Sequence, residues 1–367
     1  MDSLSFKKKA EKVLNAAGKG IDAILLYNTG SQDPNFVYLT GFTSGLFEYS
    51  ALILKKEGII LTTSALEYET AKAQAPEGME IICINTHDQL VKLMSGQLSG
   101  KRLGINGSFL PYNIYKNIKS KYAPAKILDV SEKLLAARLV KDAEEVSKIR
   151  KAVGITKMAL VLIQKEFVSG ITEMELASKF DRISASLGST EPSFKTIVCF
   201  GKNSAMPHHF PGDTKLALGD FVLIDAGAKV DNYCSDMTRT FVFGAEANET
   251  SGDKAPRMAE MMDVVKQAQV KAIRSIRPGM EGMEVDNVAR AYIETYGNGK
   301  YKGTFIHSLG HSLGIEVHDG PGFSPNEKTV IKKGMVITVE PGIYINGFGG
   351  VRIEDDILVT DEGALVL

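Results

Sequence analysis

Thiols are scarce in this chain. Its three cysteines, Cys83, Cys199 and Cys234, lie far apart and form no C-x-x-C pair. That points away from a disulfide framework or a thiolate metal site and suits a reducing, cytoplasmic setting. Net charge is nearly absent as well, at −1 over 367 residues, so no general pull toward nucleic acid or an anionic membrane is expected. No apolar run approaches the roughly 18 residues of a conventional membrane span. The first nine residues, Met-Asp-Ser-Leu-Ser-Phe-Lys-Lys-Lys, carry no apolar core behind their basic residues, so a signal peptide is not expected. The first part of the chain has no Gly-x-Gly-x-x-Gly fingerprint, and no Gly-x-Ser-x-Gly elbow supports serine chemistry. Gly299-Lys300 is followed by Tyr301, where a phosphate loop needs Ser or Thr for magnesium.

What remains is an ordinary soluble composition, 44% hydrophobic and 24% charged, long enough for about two domains. The first domain, 1–137, alternates short apolar runs with helix-like segments. Ala23 to Leu26, Ala51 to Leu54, Gly58 to Leu61 and Glu80 to Ile84 predict strands. Ser64 to Ala73 and Thr86 to Met94 predict helices, each opening on a hydroxyl residue able to cap it. His87 reads as a surface or capping residue. A second domain, 138–367, starts near Arg138. Asp142 with Glu145 marks a capped helix start, and Val146, Ile149, Val153, Leu160, Ile163 and Phe167 form one apolar stripe with the charged face outward. Thr172 with Glu175 opens the next helix. Further helices are expected from about Pro256 to Arg277 and from Met283 to Tyr296, with strands dominating from there to the end.

The informative stretch runs from Leu223 to Phe241. An apolar strand ends on Asp225, Ala-Gly-Ala follows, a polar turn (Asp231, Asn232) reverses the chain, and Asp236 begins the next strand. The hairpin brings the two carboxylates together, and the small residues leave room for something between them. Two facing carboxylates repel unless a proton or cation intervenes. Alone, they read first as two turn-forming aspartates. The pattern recurs, however: Val336 to Val339 ends on Glu340, and a glycine-rich turn leads to Glu354. Between the copies lies His307-Ser-Leu-Gly-His311, then His318. Four carboxylates and an imidazole suit Mn, Co or Zn, and two bridging carboxylates with separate terminal ligands describe a two-metal hydrolytic centre. The His307/His311 spacing is that of helical zinc peptidases, but Ser308 stands where their glutamate belongs, and Gly310 weakens a helix, so this stretch reads as strand or loop. The pair His208-His209 follows a strand ending at Phe200 and, unplaced, is as well read as loop decoration.

Seven motifs in fixed order resemble the pita-bread metallopeptidases: Ser204-Ala-Met-Pro-His208, Ile224-Asp-Ala-Gly, Ser235-Asp-Met-Thr-Arg-Thr, His307-Ser-Leu-Gly-His311, Glu316-Val-His318-Asp, Val339-Glu-Pro-Gly-Ile-Tyr344 and Val351-Arg-Ile-Glu354-Asp. The match is to the proline-specific branch, prolidase and aminopeptidase P, and Asp33-Pro-Asn-Phe-Val-Tyr-Leu-Thr-Gly-Phe42 extends it into the first domain. The resemblance implies an α/β N-terminal domain followed by an α+β pita-bread (creatinase/aminopeptidase-type) catalytic domain with a pseudo-twofold internal repeat. It implies two divalent ions, Mn or Co before Zn, held by Asp225, Asp236, His311, Glu340 and Glu354, with Asp236 and Glu354 bridging. His208, His307 and His318 would line the substrate pocket, Arg352 would support Glu354 or bind substrate, and Glu340 would also shuttle a proton. Proline-containing dipeptides or short peptides would be the substrates, and family habit is a homodimer. Asp319, where many prolidases have glutamate, and Gly322, where some have arginine, blur the choice between dipeptidase and aminopeptidase. A metal-free creatinase-like hydrolase and a non-catalytic binding relative are the competing readings. Read as a strand, Gly314 to His318 would place Glu316 and His318 on one face and Val317 on the other; the alternative is that His318 merely caps the turn at Asp319-Gly-Pro-Gly.

Overall fold

A computed structural model describes residues 3–244 and 254–367 and divides into two units, Met1–Arg138 and Leu139–Leu367. The first runs α1 (Ser3–Ala17), β1 (Ala23–Tyr27), α2 (Pro34–Thr40), β2 (Ala51–Lys55), β3 (Gly58–Ser64), α3 (Ala65–Gln74), β4 (Met79–Ile84), α4 (His87–Leu98), β5 (Arg102–Ile105), α5 (Tyr112–Lys121), β6 (Lys126–Asp129) and α6 (Ser131–Leu139). The strands form one mixed sheet in the order β4-β3-β2-β1-β5-β6. Residues 23–26 of β1 and 51–54 of β2 are buried throughout, as in a sheet covered on both faces. Thr86 caps α4 by accepting from the backbone N–H of Gln89, but Ser64, expected to cap α3, makes no such bond. The Asp33-Pro motif starts α2, with the Asp33 side chain accepting from the backbone N–H of Asn35.

The second unit continues with α7 (Ala143–Ile163), α8 (Glu173–Ser186), β7 (Ile197–Phe200), β8 (Phe221–Ala226), β9 (Lys229–Val230), β10 (Tyr233–Cys234) and β11 (Met237–Val242). Then come α9 (Lys254–Ser275), α10 (Gly282–Gly299), β12 (Val336–Val339), β13 (Gly342–Ile345), β14 (Gly349–Arg352), β15 (Asp355–Val359) and β16 (Ala364–Val366). The capping boxes Asp142/Glu145 and Thr172/Glu175 both form. α7 ends before Phe167, and its buried face carries Glu145 and Thr156 beside the expected Ile149, Val153, Leu160 and Ile163. These two polar side chains reach the β9–β10 hairpin: Tyr233 donates to Glu145 at 3.0 Å, and the backbone N–H of Ala228 donates to Thr156 at 2.9 Å.

Two copies of one strand pattern follow. In the first, β8 and β11 pair antiparallel around the small β9–β10 hairpin; in the second, β12 and β15 pair around β13–β14. Asp231 and Asn232 turn the inner hairpin with φ of +48° and +70°, a conformation short polar side chains tolerate. The small residues after Asp225 do something other than leave room for a ligand. A Cβ on Gly227 would stand 1.9 Å from the carbonyl oxygen of Ser235, so glycine there lets the two backbones of the hairpin meet.

Helix α9 presents Met261, Val264, Val265, Ala268 and Ala272 at spacings of three and four to a core shared with Ile337, Val339, Ile343, Val351 and Ile357. From the same face Gln269 donates to the Val339 carbonyl at 3.1 Å and to Asp355 at 3.0 Å, tying the helix to the end of β12. α10 contains a non-helical break at Tyr296 to Asn298. Residues 300–335 hold turns and isolated bridges rather than the expected strands. Six glycines and prolines from Gly310 to Pro325 punctuate this stretch, and such residues do not sustain a ladder. Among the described residues no helix is long and apolar enough to cross a membrane.

Candidate metal centre

The two acid hairpins meet through their strands. Alternation along the extended chain puts Asp236, Thr238 and Thr240 on one face, with Thr238 paired opposite Asp225. The second copy is stitched to this face. The backbone N–H of Glu354 donates to the Thr238 carbonyl at 3.1 Å, and that of Asp236 donates to the Asp356 carboxyl at 3.0 Å. Thr238 Oγ1 donates to Glu354 Oε2 at 2.7 Å. Asp236, His311 and Glu354 each offer a donor atom within 4.8 Å of one another. Glu340 joins through His311, whose Nε2 stands 3.5 Å from both Glu340 Oε1 and Asp236 Oδ2.

These residues fit a cation. Buried oxygens on Asp225, Asp236 and Glu354 (Oδ1, Oδ1 and Oε1) have no hydrogen-bond partner, a costly arrangement unless something positive meets them. His311 Nδ1 lies 3.3 Å from the Ser312 carbonyl, which can only accept, so Nδ1 carries the hydrogen. In the neutral ring the Nε2 lone pair then faces the carboxylates, the pose of a metal-binding imidazole. Without a cation, burial favours the protonated form of several of these acids. Burial, reinforced by the neighbouring carboxylates, pushes Asp236 and Glu354 well above the usual carboxylate range. Burial also lifts Glu340 to about 6, against the opposing pull of His311 and Arg352. Asp356, absent from the sequence reading, is lifted by burial to about 8.

All nine residues singled out in the sequence line one cavity of about 480 Å³: His208, Asp225, Asp236, His307, His311, His318, Glu340, Arg352 and Glu354. Phe194, Ile197, Pro207 and Val317 give it an apolar wall. Arg352 does not contact Glu354 directly. Its Nη2 donates to Asp225 at 2.6 Å, Nη1 to the Tyr344 hydroxyl at 2.9 Å, and Nε to Thr238 at 2.9 Å, so Thr238 is the link to Glu354. Beyond Tyr344 the chain continues to His307 Nε2 at 2.8 Å, while His307 Nδ1 donates to the Ser308 carbonyl at 2.8 Å. Burial, with Arg352 nearby, holds the His307 imidazole down at about 4. The ring is therefore neutral with its hydrogen on Nδ1, and Nε2 accepts from Tyr344. Both of its nitrogens are committed inside the protein.

His318 sits in a bend rather than a strand. Asp319 donates its backbone N–H to the Ser312 carbonyl at 2.7 Å, and the His318 ring lies 4.1 Å from that of His311. Burial and the adjacent His311 lower its pKa. Close approach explains Gly310, where a Cβ would fall 1.9 Å from the Thr338 carbonyl oxygen. The cysteines take no part. Cys199 and Cys234 are buried, with burial pushing the Cys234 thiol up to about 12. The sequence reading missed Thr238, Thr338 and Tyr344, which hold the acids and imidazoles in place. Thr338 Oγ1 donates to Glu340 at 3.2 Å and accepts from the His311 backbone at 3.0 Å. The available signal was positional: Thr238 and Thr338 each lie two residues from a singled-out acid, on the same strand face.

Comparison with known proteins shows the family. Residues 147–361 match the model of metallopeptidase family M24, and residues 8–140 match the creatinase/prolidase N-terminal domain. A Pyrococcus horikoshii protein named Xaa-Pro dipeptidase is 36% identical, covering 97% of this chain and 95% of that one. The Xaa-Pro dipeptidase structure from Bacillus anthracis superimposes with a TM-score of 0.87 at 34% identity, over 98% of this chain and 97% of its own. The X-Pro aminopeptidase structure from Thermotoga maritima also gives 0.87, at 29% identity and the same coverage.

Proposed function

Starting from the fact that this chain belongs to metallopeptidase family M24, we propose that it is an Xaa-Pro dipeptidase, a prolidase, working with two divalent ions. Asp225, Asp236, His311, Glu340 and Glu354 would hold them, Asp236 and Glu354 as the shared pair. The observation that carries this reading is the set of buried carboxylate oxygens without partners around a correctly presented imidazole. Four carboxylates against the single Arg352 guanidinium leave a net negative charge that one divalent ion does not offset and two do. The oxygen-rich donor set favours Mn or Co, with Zn as the further choice. Divalent ions in such a site acidify water and polarise a carbonyl oxygen.

The protein's own groups supply the rest. Glu340 also lines the cavity and is placed to carry a proton to the leaving nitrogen. His318, whose ring has no hydrogen-bond partner among the described contacts, is free to donate to the developing oxyanion, and His208 lines the same cavity. His307 acts through Tyr344, keeping Arg352 on Asp225. The apolar wall accepts a pyrrolidine ring. A second reading, cleavage of longer Xaa-Pro peptides from the N-terminus, is favoured by one observation. Among the described cavity-lining residues Arg352 is the only permanent cation, and it is 3% exposed and already engaged. The free carboxylate of a dipeptide thus has no lysine or arginine to meet in this cavity.

The test is product analysis of the purified Mn-loaded protein with Ala-Pro, Ala-Pro-Ala and Ala-Ala. Cleavage of Ala-Pro supports the first reading, and cleavage of Ala-Pro-Ala alone the second. Cleavage of neither, or equal cleavage of Ala-Ala, sinks both.

A further inference from the structure

The loop that brings His208 to the cavity has an anchor outside the cavity. Glu173 is the first residue of α8 and has no exposed surface. Its Oε1 accepts from the backbone N–H of Phe200 at 2.8 Å and from Asn203 Nδ2 at 2.9 Å. Its Oε2 accepts from His209 Nε2 at 2.8 Å and from the backbone N–H of Gly212 at 3.1 Å. The four donors thus stand on both sides of His208, and the helix start favours a negative charge at Glu173. The loop is also fastened to the second repeat, because the backbone N–H of Gly350 donates to Ser204 Oγ at 2.8 Å.

We propose that Glu173, with His209 as its partner, is a positioning residue that sets His208 for peptide cleavage. The inference rests on the peptidase reading of the cavity. A buried acid is expensive to keep, and an apolar contact would stabilise a loop at less cost. Only an ionised carboxylate accepts four bonds at once, and all four donors here come from the strand end and loop around one imidazole. Glu173→Gln retains the shape and breaks the pattern. His209 can switch tautomer and Asn203 can flip to meet the new amide, but the backbone N–H of Phe200 or of Gly212 then faces another donor.

The experiment compares kcat and KM on the preferred Xaa-Pro peptide with hydrogen exchange over residues 200–212. Glu173→Gln should lower kcat/KM by roughly 10²-fold, the scale of a misplaced group, with metal content unchanged, and exchange in 200–212 should speed up. In a His208→Ala background it should cost little more. His209→Ala should follow Glu173→Gln, whereas His209→Gln, which retains an N–H at the same reach, should restore activity. This pair serves if Glu173→Gln fails to fold. Equal losses with and without His208 would overturn the proposal, as would unchanged exchange. If His208→Ala itself cost nothing, the peptidase role of His208 would fall, and exchange alone would judge the anchor.

Discussion

Stripping the metal should make this protein lose stability as pH rises from 6.5 to 8, in a window fixed by opposing titrations. In the metal-free folded chain burial raises Asp356 to about 8 and pushes Asp236 and Glu354 in the same direction. Unfolded, the same acids ionise near pH 4. Between those limits the folded state binds more protons, so stability falls as pH rises. His307 works oppositely: held at about 4 when folded, it favours folding more as pH climbs, but only up to its unfolded value near 6.5. Groups with lowered values, such as Asp129 and Glu175, act lower still, below about pH 4. Above 6.5 the acids stand alone. Over 1.5 pH units Asp356 by itself contributes about 2 kcal/mol, at 1.36 per unit. That corresponds to roughly 4–8 °C in the midpoint of a domain this size. Differential scanning calorimetry of chelator-treated protein at pH 6.5, 7.25 and 8 should show the decline. With ions bound the acids are ionised in the folded state, and the decline should flatten. A metal-free midpoint that holds steady or rises across this window would refute the reasoning.

Tyr344→Phe leaves Arg352 Nη1 and His307 Nε2 without their shared partner, which should cost about 1–3 kcal/mol of stability and about 10–100-fold in activity. Calorimetry and steady-state kinetics would show it, with wild-type activity disproving the role given to this chain of bonds. His318→Ala should lower kcat by about 10²–10³, the usual loss for one oxyanion donor, while metal content and thermal midpoint stay near wild type; loss of metal would give His318 another job. Glu354→Ala should release both ions, as elemental analysis would report, and retention of two tightly held ions would show that Glu354 is not shared.

The paired hairpins were legible because each combines a short apolar strand, an acid and a turn in local sequence, and β8, β11, β12 and β15 follow. Strands β5 and β6 were not, since each is only four residues long and opens on a charged residue, too brief for a period to show. The sequence left strand and turn open at His318, because the bonds that decide it, such as Asp319 to Ser312, are fixed by folding rather than by alternation. All nine of these cavity-lining residues could be named from motif order, yet the contacts of Arg352 could not. Its links to Asp225, 127 residues away, and to Thr238, 114 away, exist only once the two repeats face each other. Nothing in the local sequence marks Glu173; its four donors are a property of the folded loop.

The most direct test of the account is to titrate rigorously metal-stripped protein with Mn²⁺ while following Ala-Pro and Ala-Pro-Ala cleavage and bound metal together. The account predicts no cleavage at the start and full activity on reaching about two ions per chain. Full activity in the stripped protein, or metal bound at that ratio with neither peptide cleaved, would contradict it.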